Sequence, residues 1–144
     1  MEGKPEESYA AEFPAQRDVL TRVCAFIEET CARAGVRRHD GLRLMLLIEE
    51  LFTNTVVHGH GHDSEAPVRL VLTVSAPAIG VEYEDGAPLY DPFTSVYAPS
   101  DTESLEDRPV GGLGITLITT MAQDVGYACP GGRNQIRFRL PRSG

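Results

Sequence analysis

The chain is short of positive charge. Its 13 Lys and Arg face 21 Asp and Glu, a formal net charge of -8. That balance argues against non-specific nucleic-acid binding and against docking on an anionic membrane surface, so no direct nucleic-acid partner is expected, and a protein partner stays open. A long apolar run is also missing, which excludes a membrane-spanning helix. The acidic opening MEGKPEES does not read as a signal peptide. No membrane association is therefore expected, and the cytoplasm is the expected location. Cysteine is scarce: Cys24, Cys31 and Cys129 are odd in number and form no C-x-x-C pair, so a disulfide framework is not expected. Cys24 and Cys31 read as small core residues on one helix face. Internal repeats and linkers are absent as well. What remains, 144 residues with 42% hydrophobic and 24% charged, suits one soluble globular domain with its own core.

Residues 1–7 are polar and charged and are expected to be disordered; residues 8–141 are expected to form the single domain. Ser8 to Phe13 reads as a short edge strand. Pro14 opens a helical pattern whose stripe is Val19, Leu20, Val23, Phe26 and Ile27, and Gly35 is its C-cap signal. Asp40 is the expected N-cap of a second helix running to about His58, closed by Gly59 and Gly61. Val68, Leu70, Leu72 and Val74 alternate along one strand, and Ile79 to Asp85 returns as its hairpin partner. Residues 86–110 carry Pro, Gly, Asp and Ser with no period, and a loop of that length is usually functional or mobile. A third helix follows, with Ile115, Leu117, Ile118 and Met121 as its apolar side, and Val125–Cys129 and Gln135–Leu140 form a last hairpin around Pro130-Gly131-Gly132. This order predicts a two-layer α/β sandwich, with helices on one face of a mixed, mostly antiparallel sheet.

Three features of this frame carry chemistry. Within EELFTNTVVHGH, Glu50 and Asn54 lie four apart on a strongly apolar helix, so both side chains stack on one face. An inward carboxylate and carboxamide need a partner, because a buried polar group left alone costs roughly 1–3 kcal/mol. A metal–nucleotide would be such a partner; the bland alternative is solvent or a neighbouring backbone. Second, the parity of Ile79, Val81, Tyr83 and Asp85 turns Asp85 inward at a strand end, directly before Gly86. There it would accept from an exocyclic amine, or simply form an Asp-Gly turn. Third, Gly111, Gly112, Leu113 and Gly114 precede a helix, where free N–H groups bind phosphate, unless the glycines are an ordinary joint.

Order and spacing combine these runs. EELFTNTVVHG, then DGAPLYDP after a strand, then GGLGITLI, then the tail DVGYACPGGRNQIRFRL resemble the GHKL (histidine-kinase-like, Bergerat-fold) ATP-binding superfamily, and within it the bacterial anti-sigma regulatory factors that are also serine-protein kinases. The resemblance extends from about Ser8 to Leu140. It implies ATP and Mg²⁺ as ligands, Glu50 as general base, Asn54 as the Mg²⁺ ligand, and Asp85, with Gly86, as the adenine-amine acceptor. It implies Gly111, Gly112, Leu113 and Gly114 as the loop over the phosphates, Thr116 as a hydroxyl near the nucleotide, and 86–110 as a lid from which Arg108 could reach the γ-phosphate. It further implies two competing partners, a sigma factor and an anti-anti-sigma protein with a small serine-bearing STAS-type domain, and a homodimer. One departure stands out: the family's Asp-x-Gly reads Asp85-Gly86-Ala87 here, whereas Glu84-Asp85-Gly86 would keep the glycine and put Glu on the wrong face. A nucleotide-dependent binding switch without kinase activity is the rival reading. The ATP-binding end of a sensor histidine kinase is weaker, since no dimerisation helix with a phospho-acceptor His is visible. In HGHGHD (58–63) a zinc clip competes with a solvated loop, and the intervening glycines preorganise nothing.

Overall fold

The computed structural model describes residues 6–93 and 112–143. Strand β1 (Glu7–Pro14) leads through a 3₁₀ turn (Arg17–Val19) into helices α1 (Leu20–Ala34) and α2 (Arg38–Asn54). Strands β2 (Pro67–Val74) and β3 (Ala78–Asp85) follow, then helix α3 (Gly112–Met121) and strands β4 (Gln123–Ala128) and β5 (Asn134–Pro141). The sheet order is β1-β2-β3-β5-β4. The α/β sandwich is as expected, but every pairing among the described residues is antiparallel, so the sheet is not mixed. β5 enters between β3 and β4, which the two sequence hairpins alone do not specify. Residue 7, expected in a disordered N-terminus, is the first of β1 and pairs with Val74. Of the expected lid 86–110, residues 94–110 lie outside the described residues, as do Arg108 and Gly111.

Alternation builds the sheet's inner face. Val68, Leu70, Leu72 and Val74 of β2, Ile79, Val81 and Tyr83 of β3, and Ile136, Phe138 and Leu140 of β5 are all buried, while Arg69, Glu82, Arg137 and Arg139 are on the open face. The helices cover the inner face with Val23 and Ile27 of α1, Leu44, Leu47, Ile48, Leu51 and Phe52 of α2, and Ile115 and Ile118 of α3. Phe13 and Phe26 meet edge-on with centroids 6.1 Å apart, seating α1 over β1. Gly35 caps α1 at φ 69°, as its sequence position suggests.

Two helix boundaries differ from expectation. Asp40 is not the N-cap of α2; Arg37 holds that place without a side-chain cap bond, and Asp40 sits in the first turn, fully buried. Its carboxylate is drawn inside by the C-terminal segment. Both oxygens accept the Ser143 N–H, at 3.1 and 3.0 Å, and Oδ2 also accepts the Ser143 hydroxyl at 3.1 Å. Arg43 adds a contact at 3.5 Å. Arg142 reaches back to the carbonyls of Ser75 and Gly35, at 2.7 and 3.2 Å, so the residues after β5 lock the α1–α2 corner to the sheet. At its other end α2 does not run on as α-helix to His58. It widens into a π-helical turn, Thr55–His60, closed by Gly61 at φ 81°.

Asp40→Ala removes a charged acceptor shared by one backbone and two side-chain donors. We expect it to lower stability by roughly 1.5–3 kcal/mol, the range for hydrogen bonds to charged groups. A urea melt checks this: the midpoint should fall with the slope unchanged.

Candidate functional site

The apolar circumference of α2 fixes its rotation, and that rotation sets Glu50 and Asn54, one turn apart, at the border of the core. Leu47, Ile48, Leu51 and Phe52 are buried, whereas Glu50 and Asn54 are half-buried. The neighbouring acids Glu49 and Glu50 have different surroundings. Glu49 accepts the Cys24 S–H at 3.3 Å, and burial, reinforced by this bond, pushes that thiol up to about 11. Glu50 instead rests against α3. A Cβ placed on Gly114 would lie 2.9 Å from the Glu50 Cβ and 3.1 Å from its Oε2, so only glycine lets α3 approach this carboxylate so closely. Residues 112–114 of the glycine run are thus not a loop ahead of the helix. Gly112, Leu113 and Gly114 form the first turn of α3 itself. Thr116 is half-buried in the next turn, and its carbonyl accepts the hydroxyls of Thr119 and Thr120, at 3.0 and 2.8 Å.

Asp85 is inward and buried, as its parity requires. Glu84 faces the other way and pairs with Arg133 at 3.3 Å. The inward acid therefore belongs to the Asp85-Gly86-Ala87 register. Asp85 Oδ1 accepts the Asn134 side-chain amide at 2.9 Å and the Ala87 N–H at 3.1 Å. Asp85 Oδ2 accepts the Thr55 hydroxyl at 2.8 Å. Behind Thr55 stands Tyr83, whose hydroxyl is 2.6 Å from the Thr55 Oγ1. Burial pushes the Tyr83 phenol well above its ordinary value; the Thr55 bond offsets part of that and the Asp85 charge adds to it, so at neutral pH Tyr83 carries its proton.

Asn134 pairs with Asp85 across β3 and β5 and is the hub of this end. Besides Asp85, its amide donates to the carbonyls of Ala87 and Pro88, at 3.1 and 3.2 Å. Its Oδ1 accepts the Tyr90 N–H at 3.0 Å and the Tyr127 hydroxyl at 2.5 Å. One carboxamide thereby pins the start of the segment after β3. Ala87 itself is buried, and its methyl lies only 2.9 Å from where a Cβ on Gly59 would be. Gly86 lies under Arg133, whose Nη1 is 3.1 Å from where a Cβ would be.

The sequence pointed to Glu50, Asn54, Asp85 and the glycine run, and the structure sets Glu50 against Gly114 and Asp85 one residue's reach from Asn54, through Thr55. It missed Thr55, Tyr83, Asn134 and Gly59. Strand parity would have found Asn134, which shares the inward face with Ile136, Phe138 and Leu140. Helical spacing would have found Thr55, four residues beyond the buried Leu51. Among the described residues, HGHGHD included, no group of three or more His, Cys, Asp or Glu is placed to hold a metal.

A two-layer sandwich with a helix-borne Glu and Asn, an inward Asp at the end of β3 and a glycine-opened helix against the Glu is a recognisable combination. Residues 13–140 match the family described as histidine kinase-like ATPase domain. The chain belongs to that family. No curated protein matches it. Membership implies a nucleotide-binding ATPase domain, typically with Mg²⁺, and the residues of this histidine kinase-like domain fit such a ligand. Asp85 keeps acceptor capacity on Oδ2, the glycine at 114 lets the first turn of α3 lie directly against the Glu50 carboxylate, and a carboxylate and carboxamide share one border of the core. Among the described residues no helix is long and apolar enough to cross a membrane.

The Gly59–Ala87 contact predicts a coupled pair. Gly59→Ala alone should destabilise the domain, since overpacking costs about 1–3 kcal/mol and the helix propensity gained is only ~1 kcal/mol. Adding Ala87→Gly should recover most of that loss. A double-mutant cycle in denaturant reads the coupling, expected at roughly 0.5–3 kcal/mol; strict additivity would show that the two positions do not compete for one space.

Proposed function

We propose that this histidine kinase-like domain is a serine-protein kinase of the anti-sigma type. It binds Mg-ATP, phosphorylates a serine of an anti-anti-sigma partner with a STAS-type domain, and exchanges that partner for a sigma factor. The supporting observation is the continuity of the site. One helix carries Glu50 and Asn54, its next residue bonds the inward Asp85, and Gly114 brings the glycine-opened helix onto Glu50.

Phosphoryl transfer depends on position and charge neutralisation more than on covalent chemistry by the protein. Asp85 accepts the base amine and so sets the nucleotide's register. Gly111, Gly112, Leu113 and Gly114 offer backbone N–H groups to the phosphates, with Thr116 and Arg108 as further polar contacts. Asn54 would hold Mg²⁺, which when bound would neutralise the phosphate charge. Glu50 takes the proton of the partner's serine as its oxygen bonds to the γ-phosphorus and the bond from that phosphorus to the bridging oxygen breaks, releasing ADP. Half-burial suits Glu50 to this role, because it excludes much of the water while leaving one side open to a partner. Cytoplasmic location and a homodimer belong to the same reading.

Ala87, where the family's Asp-x-Gly has its glycine, favours a second reading in which nucleotide binding switches partners without transfer. Transfer of labelled phosphate from ATP to candidate partners separates the two. Glu50→Ala should cut transfer by ~10²–10⁴-fold and leave ATP affinity nearly unchanged, the signature of a lost general base. A variant that transfers at the wild-type rate removes Glu50 from that role. Asn54→Ala should weaken Mg²⁺-dependent ATP binding, because a carboxamide oxygen is a hard ligand. The wild-type comparison with and without Mg²⁺ is the check: equal affinity would rule out the metal role.

A further inference from the structure

The hydroxyls of Thr55 and Tyr83 and the carbonyl of Leu51 lie within hydrogen-bond reach of one another, Thr55 also reaches Asp85, and two protons must be shared among them. Thr55 Oγ1 is 2.6 Å from the Tyr83 hydroxyl, 2.8 Å from Asp85 Oδ2 and 3.0 Å from the Leu51 carbonyl; Tyr83 is 3.2 Å from that carbonyl. If both hydroxyls pointed elsewhere, two oxygens would face each other at 2.6 Å with no proton between them. If Thr55 donated to Tyr83, the buried Asp85 Oδ2 would lose its donor, and a charged acceptor is the one most costly to leave alone. One arrangement satisfies both demands and uses the two shortest contacts. Tyr83 donates to Thr55, and Thr55 donates to Asp85 Oδ2.

An ionised carboxylate oxygen accepts about two hydrogen bonds. Oδ1 already takes two, from Asn134 and Ala87, whereas Oδ2 takes one. We infer that Thr55 and Tyr83 are specificity-determining positioning residues. Their one-way hydroxyl chain fixes Asp85 as a pure acceptor with a single opening, on Oδ2, so the site takes a base that presents an amine there and repels one that presents a carbonyl. This inference rests on the nucleotide-binding reading above. It adds that base choice is built into the residue next to Asn54. Tyr83 sits beneath Thr55 with no opening of its own, being fully buried, and so acts only through Thr55. Chains of this kind strengthen each member, because each donor polarises the next.

The test compares ATP and GTP affinity, with Mg²⁺, by calorimetry in the wild type and in Thr55→Val, Thr55→Ser and Tyr83→Phe. Thr55→Val keeps the shape and removes the hydroxyl. It should lower ATP affinity about 10- to 100-fold, the loss expected for a hydrogen bond to a charged group, with GTP affinity changed far less. Thr55→Ser should keep the wild-type preference, and Tyr83→Phe should lower it in the same direction but less. In the nucleotide-free protein, proton NMR should show a slowly exchanging Tyr83 hydroxyl that broadens or vanishes in Thr55→Val, a readout that needs no ligand. Should Thr55→Val fail to fold, Tyr83→Phe and the hydroxyl resonance decide alone. A wild type that prefers ATP while a folded Thr55→Val or Tyr83→Phe keeps the same preference overturns the inference and leaves the nucleotide reading standing. A wild type with no ATP affinity, or none over GTP, overturns both.

Discussion

The charge on Asp85 organises this end of the molecule. A carboxylate this deeply buried, 8% exposed, persists only if donors meet it, and the three that do come from three separate places: Thr55 beyond α2, the Ala87 backbone beyond β3, and Asn134 at the start of β5. Each donor is itself held. Thr55 stands on Tyr83, Ala87 is wedged against Gly59, and Asn134 is saturated by Tyr90 and Tyr127. The desolvation cost of one charge therefore specifies the register of β3 on β5, the depth of the helix and the path of the chain after β3. Without that charge, the apolar core would still favour a sandwich but would not choose this alignment so narrowly.

The glycines serve a second constraint, close approach. Gly114 lets α3 lie on Glu50, and Gly59 leaves room for the methyl of Ala87. Neither position needs a positive φ; what each needs is the absence of a side chain. The alanine of Asp85-Gly86-Ala87 is then understandable as an exchange of volume, with its bulk on one chain segment met by a gap on the facing one.

Much of this was legible in the sequence because the signals were periodic. Alternation in β2 and β3 identified their inward faces down to Asp85, and the apolar circumference of α2 placed Glu50 and Asn54 together. Failures came where tertiary partners decide. Asp40 resembles an N-cap in isolation, yet the N–H of Ser143, distant in sequence, draws it into the interior. The change to a π-helical turn at Thr55 leaves no mark in composition, since Thr, Val and His suit either form. The insertion of β5 between β3 and β4 follows from sheet-wide pairing rather than from any local turn. Asn134 was passed over because a polar residue before a strand reads as turn, although its parity with Ile136 was visible.

The strand order also bears on how the chain is made. β3 has β2 on one side, but its other neighbour is β5, which is synthesised after everything else in the sheet. During translation, then, β3 has an open edge and Asp85 lacks the Asn134 amide until residues 134–141 have left the ribosome. Long-range antiparallel closure of this kind is slow, and an unpaired edge is a place for misassembly. A nascent chain halted before β5 would carry Glu50, Asn54 and the glycine run and still lack the Asn134 amide that completes the donors around Asp85. Completion of the sheet and of the donor set around Asp85 thus arrive together, with β5.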